Sequence, residues 1–209
     1  RVVHATAASP AGPFVRQGVA LPVFAHNPMV VRSSTDNRYL LYHIGDTIDP
    51  SCVPDCTRGA APTDSQAPCE SKGHGTSIAH ASSPYGPWTR MPYVVPNYTN
   101  PAPLLFANGS VLLAARSGPG VQMHILRAER WQGPYTHVAH IGLYEDPFLW
   151  RDSRGFHLLT HDKLGVDPLW YDDRGGLWYS RDGLHWCGPV ESAYNTTVAW
   201  AAGGPRNSS

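Results

Sequence analysis

Apolar residues along this chain come in short runs, each closed by Gly, Pro, Asn or Asp. The clearest are "RYLLYHIG" (38–45), "SVLLAARSG" (110–118) and "FHLLTHD" (156–162). No window keeps a period near 3.6, and proline recurs too often for long helices. Short apolar runs bounded by turn residues predict β-strands. Asp36-Asn37, Asn108-Gly109 and Arg154-Gly155 mark tight turns between paired strands.

The pattern repeats. "ATAASPAGPFVRQG" (5–18), "AHASSPYGPWTRM" (79–91) and "RAERWQGPYTHV" (127–138) each carry Gly-Pro followed by an aromatic: Phe14, Trp88 and Tyr135. A fourth segment, "YSRDGLHWCGP" (179–189), keeps only the aromatic, as Trp186. Eleven to thirteen residues after each of the first three aromatics stands Asn-Pro or Asp-Pro, in "HNPMVVR", "TNPAPLLF" and "EDPFLWR". The unit is strand, turn, strand, loop, strand, Gly-Pro turn, strand. It spans roughly 45 to 50 residues, the size of a four-stranded propeller blade. A β-sandwich would supply short strands but not both motifs at fixed offsets. The expected fold is an all-β propeller of four-stranded antiparallel blades.

Residues 1–20 then supply the outer strands of one blade. Residues 26–95 form a blade carrying a Cys-rich insertion (46–75), and 99–140 and 144–190 form two more. Residues 191–209 supply a closing strand or the start of the next blade. A blade cut short leaves an open sheet edge, so the 209 residues read as part of a longer chain. Its first residue, Arg1, reads as a processed or trimmed start.

Composition narrows the partners. Sixteen basic residues balance sixteen acidic ones, and no basic stripe stands out, which argues against nucleic acid. No stretch reaches the roughly 18 apolar residues of a membrane-spanning helix. Four N-glycosylation sequons, at Asn97, Asn108, Asn195 and Asn207, point to a secreted, extracellular glycoprotein. Cys52, Cys56 and Cys69 crowd one Pro/Asp/Thr-rich stretch, with Cys187 far downstream. Their spacing does not match a zinc site, and His74 nearby does not mend it. Disulfides that pin the loop are expected, in any of three pairings.

"ASSPYGPW" followed by "NP", together with "EDPFLWRDSRGFHLL", resembles the five-bladed β-propeller glycosidases, above all glycoside hydrolase family 43 and its secreted relatives. In that family three carboxylates reach a central channel. One Asp, in a His-Asp-Pro context, is the general base; a second Asp tunes the acid; a Glu is the general acid. Such a set suits inversion at a sugar carbon. The resemblance implies that Glu145 is the general acid and that Asp146 belongs to the Asp-Pro strand start. It puts Asn27 where the base Asp is expected and Asn100 where the tuning Asp is expected. An amide cannot accept a proton as a general base. The hydrolytic machinery therefore reads as degenerate. If the chain is an enzyme at all, it is an O-glycosyl hydrolase.

Asn or Asp before proline is also a good strand-entry residue by its own chemistry. His26, His43, His161 and Asp162 fall at inner-strand ends, where they line the channel or bond to loops. Trp150, Trp170, Tyr171 and Trp178 offer aromatic faces to sugar C–H groups or pack within blades, and "DPLWYDDRGG" (167–176) is the expected rim. Relatives in that family hold a channel calcium; no ligand set here singles one out, and no cofactor is expected. Two functions follow. One is a secreted glycosidase-like propeller that acts on or binds a glycan or polysaccharide. The other is a structural module that self-assembles or joins extracellular proteins.

Overall fold

The computed structural model describes residues 2–22, 25–45, 75–117, 122–162, 175–190, 193–194, 197–200 and 203–207. Sixteen strands account for the regular structure described, and no helix occurs among these residues. Strands β1 (Val2–Thr6) and β2 (Val15–Leu21) pair as sheet 1. Sheet 2 has the order β3 (His26–Ser33), β4 (Arg38–Ile44), β5 (Gly75–Ala81), β6 (Thr89–Pro96). Sheet 3 runs β7 (Tyr98–Leu105), β8 (Val111–Ser117), β9 (Met123–Ala128), β10 (Thr136–Gly142). Sheet 4 runs β11 (Tyr144–Arg151), β12 (Phe156–Asp162), β13 (Gly175–Ser180), β14 (Cys187–Val190). Strands β15 (Thr197–Trp200) and β16 (Gly203–Asn207) form sheet 5 by themselves, rather than joining β1 and β2. All pairings are antiparallel. The all-β fold of four-stranded blades read from the repeats is the fold observed.

The unbroken apolar runs have a simple cause: their strands are buried on both faces. In β8, Val111, Leu113 and Ala115 pack toward sheet 2 while Leu112 and Ala114 pack toward sheet 4. In β4, Leu40 and Tyr42 face sheet 3 and Leu41 faces sheet 1. Period-2 alternation sends successive side chains to opposite faces, so each sheet supplies half of two adjoining cores. Burying a leucine such as Leu113 fully, as here, contributes about 2 kcal/mol.

In three of the four Gly-Pro turns an aromatic enters the core shared with the preceding sheet, while Phe14 of the first turn is exposed. Trp88 packs between sheets 1 and 2, Tyr135 between sheets 2 and 3, and Trp186 between sheets 3 and 4. Trp186 thus holds the aromatic position of the fourth repeat. That repeat also keeps its Gly-Pro, for Gly188-Pro189 is cis like Gly12-Pro13, Gly86-Pro87 and Gly133-Pro134. Hydrogen bonds tie neighbouring sheets as well. The hydroxyls of Tyr42 and Tyr135 lie 3.0 Å apart, and Trp131 Nε1 donates to Asp36 Oδ2 at 3.0 Å. Burial, then the facing hydroxyl, pushes the Tyr42 phenol up.

Of the four cysteines, Cys187 alone falls among the described residues. Cys187 sits on the outermost strand of sheet 4, in register with Tyr179, as an exposed free thiol. Cys52, Cys56 and Cys69 lie outside the described residues.

Candidate functional site

Strands β3, β7 and β11 are the first strands of sheets 2, 3 and 4, and β7 packs against both others. All three open with the same irregularity. His26 pairs with Ile44 and Met29 with Tyr42, so Asn27-Pro28 opposes His43 alone. Asn100-Pro101 likewise opposes Ala115, and Asp146-Pro147 opposes Thr160. Two residues against one make a β-bulge, which bends the strand and re-aims a side chain. At each bulge the residue before proline is left-handed: φ is 47° at Asn27, 50° at Asn100 and 49° at Asp146. Asn and Asp are the non-glycine residues that tolerate this conformation best, and proline in a sheet is confined to edges and bulges. The recurring Asn/Asp-Pro is thus a folding requirement first.

The bulges bring these side chains to one place. Asn27, Asn100 and Asp146, with their prolines and Met29, line a cavity of about 160 Å³. Asn100 is nearly buried, and its Nδ2 donates to Asp146 Oδ1 in a short hydrogen bond. Asn27 and Asp146 are otherwise exposed at the rim. The cavity therefore offers amide donors and acceptors beside a single carboxylate.

Glu145 stands one residue before the bulge, in register with His161. Its Oε2 accepts a hydrogen bond from Arg116 Nη1 at 3.1 Å. Both side chains are largely buried, at 14% and 23% exposure, and the pair links sheet 4 to sheet 3 behind the bulges. No sequence motif marks Arg116. Its signal is a lone charge ending the apolar run "VLLAA". A charge there needs a partner.

The other expected site residues scatter. His26 is exposed beside Asn27, and His43 is buried beneath it. His161 Nδ1 lies 3.3 Å from the Tyr194 hydroxyl. Asp162 pairs by its backbone with Tyr144 at the end of β12. Trp170 and Tyr171 lie outside the described residues, as does Asn195. Trp150 stacks on His157 instead, and Trp178 packs in the core between sheets 3 and 4. Asn97 is an exposed link between β6 and β7, Asn108 is exposed on the β7–β8 turn, and Asn207 ends β16.

Two further acids are turn anchors. Asp152 accepts from Arg154, then from His157, and these bonds hold its carboxyl far below the usual range. Asp182 is held equally low by the backbone N–H of His185, and then by the His185 ring and the backbone N–H of Leu184. Among the described residues no group of three His, Cys, Asp or Glu is placed to hold a metal ion. The cavity, with one carboxylate already bonded to an amide, does not fit a calcium cage.

No family model matches the chain, and no curated protein matches it. Solved structures do. An exo-β-1,3-galactanase from Phanerochaete chrysosporium, in complex with β-1,3-galactotriose, superposes with a TM-score of 0.62 at 14% identity, over 90% of this chain and 42% of its own. A family 117 glycoside hydrolase from Zobellia galactanivorans gives 0.59 at 18% identity, over 90% of this chain and 55% of its own. A thermostable family 43 glycoside hydrolase gives 0.56 at 11% identity, over 87% and 61%. The chain spans about half the length of these neighbours. What it shares with them is their fold, the β-propeller of four-stranded antiparallel blades.

Proposed function

We propose that this chain is a glycosidase-like propeller that binds carbohydrate at the cavity between β3, β7 and β11, without hydrolysing it. One observation carries the reading. Three sheets deliver equivalent bulge residues to a single cavity, and two of the three are amides. Amides and a carboxylate suit the donors and acceptors of sugar hydroxyls. Hydrolysis by inversion needs two carboxyl groups in separate roles. Here Asp146 is bonded to Asn100, and Glu145 Oε2 already accepts from Arg116. The sequons at Asn97, Asn108, Asn195 and Asn207 support an extracellular setting.

The β-1,3-galactotriose held by the exo-β-1,3-galactanase neighbour makes β-1,3-galacto-oligosaccharides the first ligands to try. Calorimetric titration is expected to give saturable binding. A reducing-end assay on the same mixture is expected to stay flat. Asp146→Asn removes the charge but keeps the left-handed backbone and an acceptor for Asn100, so it should weaken binding about tenfold while leaving the melting temperature within about 3 °C. Release of reducing sugar would restore the hydrolase reading. Failure to bind any member of a broad glycan panel would favour a structural module.

A further inference from the structure

The largest cavity among those described lies away from the bulges. It measures about 480 Å³ and is lined by residues of sheets 3 and 4, among them Phe106, Asn108, Arg127, Arg151, Phe156 and Asp182. Phe106 and Asn108 belong to the turn "FANGS" (106–110) that joins β7 to β8. Gly109 N–H donates to the Phe106 carbonyl at 2.9 Å, and Phe106 N–H donates to the Ser110 carbonyl at 2.9 Å. Gly109 sits at φ 89°, the glycine-favouring position that closes such a hairpin turn. This geometry sets Phe106 and Asn108 on the same side of the turn, facing one cavity.

The Asn108 amide is oriented by its own sequon. Its Oδ1 accepts from Ser110 N–H at 3.1 Å and from Ser110 Oγ at 2.8 Å. With Oδ1 engaged by Ser110, Nδ2 is the atom open to modification, on an exposed side chain at the edge of the cavity. Phe106 meets the Phe156 ring at a steep angle, with centroids 6.1 Å apart, and both rings line the cavity.

We infer that Asn108 is N-glycosylated and that the first N-acetylglucosamine of its glycan packs on Phe106 in this cavity, as a structural part of the sheet 3–sheet 4 junction. In forming the modification, Nδ2 loses one proton and bonds to the sugar C1. The C1–oxygen bond to a lipid pyrophosphate donor breaks, and the lipid pyrophosphate leaves. The hydrophobic face of the sugar then covers the ring, and its N-acetyl and hydroxyl groups reach Arg127 and Asp182 at the rim. The inference is independent of the bulge cavity and stands or falls without it.

The test uses the full chain secreted from a eukaryotic host. Peptide mass spectrometry reads occupancy at Asn108. Thermal melts then compare three forms: the intact glycan, the glycan trimmed to its first sugar, and the chain stripped by an amidase that leaves Asp at the site. The intact and trimmed forms are expected to melt together. The stripped form should melt about 2–4 °C lower, the shift expected for one aromatic contact in a domain of this length. Phe106→Ala lowers every form, because Phe106 also touches the core. It should nevertheless erase the difference between trimmed and stripped, which is the coupling a double-mutant cycle isolates. An unmodified Asn108, an unchanged melt on stripping, or a difference that survives Phe106→Ala each overturns the inference.

Discussion

Strands β3, β7 and β11 begin with the same bulge and share almost nothing else. In β7 the residues from Thr99 to Pro103 are all buried. In β3 the first three residues are exposed, and Val30 is 53% exposed. In β11 Phe148 is 52% exposed. The position just after each Asn/Asp-Pro holds Met29, Ala102 and Phe148 in turn. Only the strand flanked by two others carries the small residue. Local backbone geometry is set by the Asn/Asp-Pro pair, whereas what the side chains meet is set by the neighbouring sheets. The same contrast divides the polar groups. Asn100 is nearly buried and bonded to Asp146, while its counterpart Asn27 is at the rim.

The strongest way to break this contrast is steric. Ala102→Phe should cost about 3 kcal/mol or more in urea denaturation, because the space beside β7 is filled. The reverse change at the equivalent position, Phe148→Ala, should cost under about 1 kcal/mol. Equal costs would mean that β7 is not enclosed by its neighbours.

An electrostatic pair of substitutions is subtler. Asn27→Asp should change stability by less than about 0.5 kcal/mol, since the site is exposed and the backbone preference is kept. Asn100→Asp sets a second carboxylate against Asp146 in a nearly buried place, and should cost about 2 kcal/mol at neutral pH. The repulsion raises the folded-state affinity for a proton. The cost should therefore shrink as pH falls and one carboxyl is protonated. A pH-independent cost would point to packing instead.

The smallest effect lies on β9, the third strand of sheet 3. His124 meets the rings of His137 and Tyr98 edge-on and that of His140 at a tilt. Burial, then the two neighbouring histidines, pushes it below its ordinary 6.5. Below that pH the unfolded chain binds more protons than the folded one, so stability falls on acidification. His124→Gln should flatten part of that slope in melts from pH 7 to about pH 5. His80, also lowered by burial and then by Arg38, accounts for a further share. An unchanged slope would remove His124 from the balance.

Much of the fold was legible because it is written twice in each blade. At Trp88 and Tyr135 the Gly-Pro-aromatic turn marks where an aromatic enters the core beside the preceding sheet, and the Asn/Asp-Pro marks a bulge. Both need particular residues, so both survive as motifs. The candidate site was legible only in part. Asn27, Asn100 and Asp146 could be named from their prolines, but their equivalence depends on a left-handed backbone that sequence spacing does not display. Family resemblance favours Glu145 over Asp146, and the Arg116–Glu145 pair bridges 29 positions and two sheets. Contacts of that range leave no local pattern.

The left-handed bulge also bears on how such a site changes over generations. At that backbone angle the comfortable residues are few: glycine, asparagine and aspartate. The last two have nearly the same shape and differ by a single nucleotide in their codons, yet only one can carry a proton to or from a substrate. At a rim position such as Asn27, a lineage can therefore exchange an acid for an amide, or recover it, in one mutational step that passes through no unstable protein.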